Sequence, residues 1–369
     1  ELLQILIMNT IDIPREWEQA ADRIKRDAKT CGVTCIVIGK IDSGKSTFCK
    51  YLVHTWTASE IRVGYVDSDV GQSTIGPPAT VGLKIFNTPS VQHDYSNLFD
   101  LHFVGNTSPE GFLLQTLHAV KRMVDKSLQQ GSQITLVDTT GFINGPVARI
   151  FKLHKIEMLR PQWIVALQAE DEMEHLLRGY EKMGWRVIRL TCSKQVVTRS
   201  QAERQKYRNE RYKAYFKSAK VVNCPIHKVV FPSCILGTGQ RINPLELPKE
   251  TYMSDTKYLY IEKCGSELLI VIDRLVESAS FYKIKECFGV TSIACIERFE
   301  IKDLLVGMND KDGNTLGLGT IIDLDPLNDN LALFTPVQDI HKVTAIYLGN
   351  IRVEQGEKEC GKTRPVRYL

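Results

Sequence analysis

Short apolar runs closed by a glycine, an aspartate or a polar turn recur through the first half of the chain. They fall at Cys35–Gly39, Arg62–Asp67, Leu101–Gly105, Ile134–Asp138, Trp163–Leu167 and Trp185–Leu190. Continuous apolar runs of this length suit strands covered on both faces, as in a parallel sheet. Between them, apolar residues recur at three- and four-residue spacing over Gly44–His54, Gly111–Lys126, Pro146–Leu159 and Asp171–Met183, which predicts helices. This alternation of strand and helix is α/β grammar, and functional residues in such sheets gather at the carboxyl ends of the strands. A short amphipathic segment, Pro14 to Lys25, precedes the first of these strands. The opening ELLQILIM lacks a basic flank and a small-residue cleavage site, so it reads as a strand and not as a signal peptide.

The rhythm changes near residue 220. Brief apolar runs (LYIEKC, LLIVID, SIACIERF, TAIYLGNIRV) alternate with turn signals such as DKDGN and LDPLNDN, which predicts a smaller all-β C-terminal domain, sandwich or barrel. The expected organisation is a short segment over 1–30, an α/β domain over 31–235 and a β-rich domain over 236–369.

Length and composition fit this division. A chain of 369 residues exceeds what one hydrophobic core usually serves, and 43% hydrophobic with 24% charged residues is ordinary for a globular protein. No apolar run approaches the roughly 18 residues of a membrane-spanning helix, so no membrane partner is expected. The ten cysteines are scattered, mostly inside apolar runs, and lack zinc-finger spacing. That pattern suits free thiols in a reducing compartment, cytoplasmic or, in a eukaryote, nuclear.

The strand CIVIG runs into GKIDSGKST, where Gly39, Gly44, Lys45 and Ser46 fill every fixed position of the phosphate-binding loop GxxxxGK[ST]. The glycines let backbone amides turn inward, Lys45 reaches β- and γ-phosphates, Ser46 is a Mg²⁺ ligand, and the following helix adds its positive end. Asp42, Ser43 and Thr47 complete the expected nucleotide-contacting loop, and the chain is an α/β P-loop NTPase on this reading. A second strand ends in Asp67-Ser68-Asp69-Val70-Gly71-Gln72-Ser73. Carboxylates at i and i+2 on an extended strand point the same way, so one can serve a metal's hydration shell while the other accepts a proton from an incoming hydroxyl. A third strand, ITLVD, ends in Asp138-Thr139-Thr140-Gly141-Phe142, whose DxxG pattern belongs beside a γ-phosphate. From Arg199 to Lys220 the chain holds four Arg and four Lys against two Glu. Arg204, Arg208 and Arg211 share one helical face, as expected for a basic lid near 199–216 closing over a triphosphate.

Together these segments resemble the polynucleotide 5′-hydroxyl kinase family, which includes archaeal polynucleotide kinases and the RNA kinase subunit of eukaryotic pre-mRNA cleavage and tRNA-splicing complexes. The matching pieces, in family order, are GKIDSGKST, VDSDVGQSTIGPP, GNTSPEG, LVDTTGFINGP, VVTRSQAERQKYRNERYKAYF, LLVGMNDKDGNTLGLGTIIDLD and LGNIRV. The resemblance implies transfer of the ATP γ-phosphate to the 5′-hydroxyl of RNA or DNA, with ATP and Mg²⁺ as cofactors. It implies that Lys45 and Ser46 hold phosphates and metal, that Asp69 activates the hydroxyl, and that Asp67 lies on the metal side. Gln72, Thr107, Asp138, Phe142 and Arg211 are expected on the substrate side, and Arg204 and Arg208 come from the lid. Eukaryotic members carry Trp where this chain has Phe142, a residue that also stacks on bases. About 38 residues precede Gly39, closer to the compact archaeal form.

Two other functions stay open on sequence. A GTPase also combines a P-loop with DxxG, but no [NT]KxD motif follows the strand WRVIRL. The chain is otherwise an ATP-bound scaffold subunit of an RNA-processing complex.

Overall fold

The computed structural model describes residues 13–28, 32–87, 99–192, 198–247, 256–274, 281–364 and 366–368. The strand expected in ELLQILIM lies outside these residues. The chain divides into two compact units, Glu1–Tyr207 and Arg208–Leu369.

The first unit is built on a seven-stranded sheet. Its strands are β1 (Val33–Gly39), β2 (Val63–Ser68), β3 (Thr80–Phe86), β4 (Asp100–Phe103), β5 (Ile134–Thr139), β6 (Trp163–Gln168) and β7 (Val187–Thr191). Their spatial order is β4-β3-β2-β5-β1-β6-β7. The five strands from β2 to β7 in that order pair in parallel, while β3 and β4 extend the sheet by antiparallel pairing. Strands β1, β2, β5 and β6 are buried along their whole length, which is why they read as unbroken apolar runs.

Alternate residues of β1 serve opposite cores. Val33, Cys35 and Val37 join Trp17, Phe48, Leu52 and Trp56 on one face, whereas Ile36 and Ile38 join Val120, Met123, Ile156 and Leu177 on the other. The first face is covered by helices α1 (Arg15–Ala28) and α2 (Lys45–Thr57). Trp56 fixes their packing, its indole Nε1 donating to the carbonyl of Ala21 at 3.0 Å. Helices α3 (Leu113–Gln129), α4 (Gly145–Leu159) and α5 (Glu174–Lys182) cover the second face. The sheet thus brings the carboxyl ends of β1, β2 and β5 side by side, and Asp67 of β2 stands in register with Asp138 of β5.

The division at Tyr207/Arg208 falls within helix α6 (Gln201–Tyr215), earlier than the boundary expected at 235/236. The reason is β8 (Lys220–Pro225), which pairs antiparallel with Asn330–Thr335 and so belongs to the second unit. That unit is β-rich. A six-stranded antiparallel sheet joins β8 to strands between Leu304 and Lys362. A five-stranded sheet carries one parallel pair, Glu267–Ile272 with Ser292–Glu297, connected through helix α7 (Phe281–Phe288). The segment LLVGMNDKDGNTLGLGTIIDLD forms a hairpin whose Asp310 carboxylate accepts from the amides of Asp312 and Asn314 at 2.9 and 2.8 Å. At Gly317 a Cβ would come within 2.7 Å of the Tyr215 hydroxyl and 2.4 Å of Val337.

Candidate functional site

The loop from β1 to α2 has the shape a phosphate cradle requires. Gly44 lies in the left-handed region with φ 88°, and so does Asp42 with φ 53°. At Gly39 a Cβ would come within 2.5 Å of the Leu167 carbonyl, so only glycine lets the loop leave the sheet there. Helix α2 begins at Lys45, leaving first-turn amides directed into the loop. Lys45 is 6% exposed, and its ammonium group donates to the Lys40 carbonyl at 2.6 Å and faces Ser43 Oγ at 3.5 Å. Ser43 lies in the loop, and Ser46 and Thr47 lie in the first helical turn.

The DTTG turn after β5 presses against this loop. At Gly141 a Cβ would come within 2.4 Å of the Ile41 amide nitrogen. Ser46 Oγ donates to Asp138 Oδ2 at 2.6 Å, and the Tyr65 hydroxyl donates to the same oxygen at 3.1 Å. The other oxygen, Oδ1, is buried without a hydrogen-bond partner. Burial raises the carboxyl group of Asp138 above its ordinary pKa, while Lys45 pulls it back. A buried carboxylate oxygen with no donor, beside a serine hydroxyl at the start of a P-loop helix, fits a hard divalent cation such as Mg²⁺. Ser46 and Asp138 are the residues that would hold it.

Asp67 is differently employed. Its Oδ2 accepts from the Thr74 amide at 2.6 Å, Thr74 Oγ1 at 2.9 Å and Ser73 Oγ at 3.3 Å, and its Oδ1 accepts from the Asp69 amide at 3.1 Å. These donors all come from the loop that follows β2, so Asp67 anchors the 69–74 segment. Burial first, then the Asp138 charge, pushes its carboxyl group up to about 7. Asp69, half-buried, accepts at Oδ1 from the amides of Gly71 and Gln72, both at 3.1 Å. That turn fixes the carboxylate without using its second oxygen.

Thr107 lies against this loop: a Cβ on Gly71 would lie 2.7 Å from the Thr107 carbonyl. Gln72 Nε2 donates to the Gly71 carbonyl at 2.8 Å, and its Oε1 is buried without a partner. Phe142 is partly exposed, with its ring 6.2 Å from Phe151. The start of α6 docks on the same rim. Arg204 pairs with Asp42 at 2.6 Å, and the Tyr207 hydroxyl donates to the Ser73 carbonyl at 2.9 Å. Arg208 and Arg211 belong to the second unit, where Arg208 pairs with Glu359 at 2.6 Å.

Two residues at the site were not foreseen: Lys152 and Lys155 of α4, both fully buried. Their signal in the sequence was positional. They occupy the stripe otherwise filled by Ala148, Phe151, Ile156 and Leu159, where lysine is out of place.

A backbone cradle, a buried lysine and a serine–aspartate pair converging at one loop mouth define the P-loop nucleoside-triphosphate class of phosphotransferases. Within that class, residues 39–218 match the family model described as mRNA cleavage and polyadenylation factor CLP1 P-loop. The chain is 31% identical over 363 residues to a polyribonucleotide 5′-hydroxyl-kinase of Methanocaldococcus jannaschii, covering 95% of each protein. It is 28% identical to the enzyme of that name from Pyrococcus abyssi, covering 96% of each. The fold also matches Clp1p in its complex with Pcf11p, with TM-score 0.58 at 11% identity, over 91% of this chain and 78% of that one. The chain belongs to the polyribonucleotide 5′-hydroxyl-kinase family.

Proposed function

We propose that this protein transfers the γ-phosphate of ATP to the 5′-hydroxyl end of RNA. The observation that carries the reading is the division of labour between adjacent strand ends. Asp138 is committed to Ser46 at the phosphate loop, whereas Asp69 keeps one carboxylate oxygen free of the turn that positions it. In the reaction the 5′ oxygen forms a bond to the γ-phosphorus, the bond to the β–γ bridging oxygen breaks, ADP leaves, and the hydroxyl proton passes to Asp69. Mg²⁺, when bound, neutralises charge on the β- and γ-phosphate oxygens. Lys45 leaves the Lys40 carbonyl for the phosphates, and Asp67 keeps the 69–74 loop in shape. Gln72 and Thr107 orient the RNA end, Phe142 offers a ring to its terminal base, and Arg204 supplies charge from the rim.

The relatives' names specify polyribonucleotides, which favours RNA over DNA as the acceptor. No helix among the described residues is long and apolar enough to cross a membrane. The test is Asp69→Ala assayed with labelled ATP and a 5′-hydroxyl oligoribonucleotide. ATP affinity should stay within about threefold while transfer falls by at least about 10²-fold, the scale of general-base loss. Undiminished transfer removes Asp69 as the proton acceptor.

A further inference from the structure

Helix α4 places two lysines, Lys152 and Lys155, three residues apart on its buried face, and neither side chain is exposed to any extent. Their hydrogen bonds go to hydroxyls and a carbonyl, not to a carboxylate. Lys152 Nζ donates to Thr139 Oγ1 at 2.9 Å and to the Thr140 carbonyl at 2.7 Å, at the carboxyl end of β5. Lys155 Nζ donates to Ser68 Oγ at 3.4 Å, at the end of β2, and lies 4.7 Å from the Phe151 ring centroid. Ser68 Oγ in turn donates to the Asp138 carbonyl at 2.7 Å, so the two amines fasten the ends of both acidic strands.

A lysine buried without an ion-pair partner costs stability, and replacing it with an apolar side chain of similar length is commonly neutral or stabilising. The groups that face these amines explain why they are tolerated. Asp69 and Asp138 favour the charged form of Lys155, against the burial that lowers its pKa to about 7. Burial, Lys155 and Lys45 lower Lys152, while Asp69 and Asp138 act the other way. Both lysines therefore sit in the field of the catalytic carboxylates and beneath the place where a polyanion arrives.

We propose that Lys155, with Lys152 beside it, is a positioning residue of the phosphoryl-transfer site, its buried amine holding the Ser68–Asp69 strand end in place beneath the acidic strand ends. This inference rests on the kinase reading. The amine is preorganised and dry, the condition under which a polar contact is strongest. Lys155 acts through Ser68 and Asp69 and does not touch the reacting atoms.

The experiment compares wild type with Lys155→Met and Lys155→Ala, using labelled ATP and 5′-hydroxyl RNA, alongside thermal melting. Lys155→Met should melt at or above the wild-type temperature. Its KM for ATP should stay within about threefold while kcat falls about 10- to 100-fold, at or below the scale of losing one preorganised donor. In Lys155→Ala, propylamine should restore activity, whereas 1-propanol, which fills the same space without the amine, should not. Wild-type kcat in a stable Lys155→Met, or equal rescue by amine and alcohol, overturns the inference and reduces Lys155 to packing. If wild type itself labels no RNA, the kinase reading fails instead, and the two failures are told apart in one assay.

Discussion

Replacing Asp138 with asparagine isolates the charge at the phosphate-loop mouth. In the native site one carboxylate oxygen receives both Ser46 Oγ, at 2.6 Å, and the Tyr65 hydroxyl, at 3.1 Å, and the other is buried with no donor. An asparagine can keep both hydroxyl contacts with its amide oxygen. Its NH₂ then replaces the partnerless oxygen, exchanging a negative acceptor for a neutral donor where a cation belongs. The fold should therefore survive, and removing a buried carboxylate whose ionisation is disfavoured by burial should leave the melting temperature unchanged or higher. A charge-assisted hydrogen bond is worth about 1.5–3 kcal/mol, which at 1.4 kcal/mol per decade is about 10- to 150-fold in affinity. The assay is the initial rate of RNA phosphorylation at saturating ATP across a Mg²⁺ titration. The half-maximal Mg²⁺ concentration should rise about 10- to 100-fold in Asp138→Asn and less than about threefold in Asp67→Asn. An unmoved midpoint in Asp138→Asn, or an equal shift in Asp67→Asn, would refute the assignment of the metal side to Asp138.

Other outcomes follow from the same geometry. Gly141→Ala forces a Cβ to within 2.4 Å of the Ile41 backbone nitrogen, so the phosphate loop must move. It should cost about 1–3 kcal/mol, lower the melting temperature by about 2–4 °C per kcal/mol, and raise KM for ATP, all measurable by melting and steady-state kinetics. Asp67, with a folded pKa raised to about 7, binds its proton more tightly in the folded state than in the unfolded one. Its contribution is fully present below the ordinary carboxyl range and is lost as pH rises toward about 7. Wild type should accordingly lose more stability than Asp67→Asn between pH 4 and 7 in denaturant titrations, and parallel pH profiles would contradict the buried-carboxyl assignment.

The parallel strands were readable because burial on both faces leaves no exposed position in β1, β5 or β6, and most of their residues are apolar. The phosphate loop was readable because its glycines answer a backbone demand, visible in the left-handed φ of Gly44 and the crowding at Gly39. Strand β3 escaped notice: Gly82 and Lys84 interrupt TVGLKIF, and its antiparallel pairing with β2 carries no sequence motif. The division of the chain was placed too late because VVNCP looks like a continuation of the preceding segment, and only pairing with Asn330–Thr335 assigns it elsewhere. Side-chain partnerships were the least visible layer. Arg204 and Arg208 share a helical face, yet their partners Asp42 and Glu359 lie 162 and 151 residues away in the chain. Asp67 and Asp138 end neighbouring strands with the same residue type, and only their hydrogen-bond donors separate a loop anchor from a serine-paired carboxylate. Lys152 and Lys155 betray themselves only by falling on the apolar stripe of their helix, which turns them inward.

The central claim is phosphate transfer to a nucleic-acid 5′ end, and one incubation tests it most directly. Wild-type protein, Mg²⁺ and γ-labelled ATP are mixed with an oligoribonucleotide bearing a 5′-hydroxyl and, separately, with the same oligonucleotide bearing a 5′-phosphate. The account predicts label on the first and none on the second, lost in Lys45→Ala. Label released only as inorganic phosphate, with neither oligonucleotide marked, would contradict it.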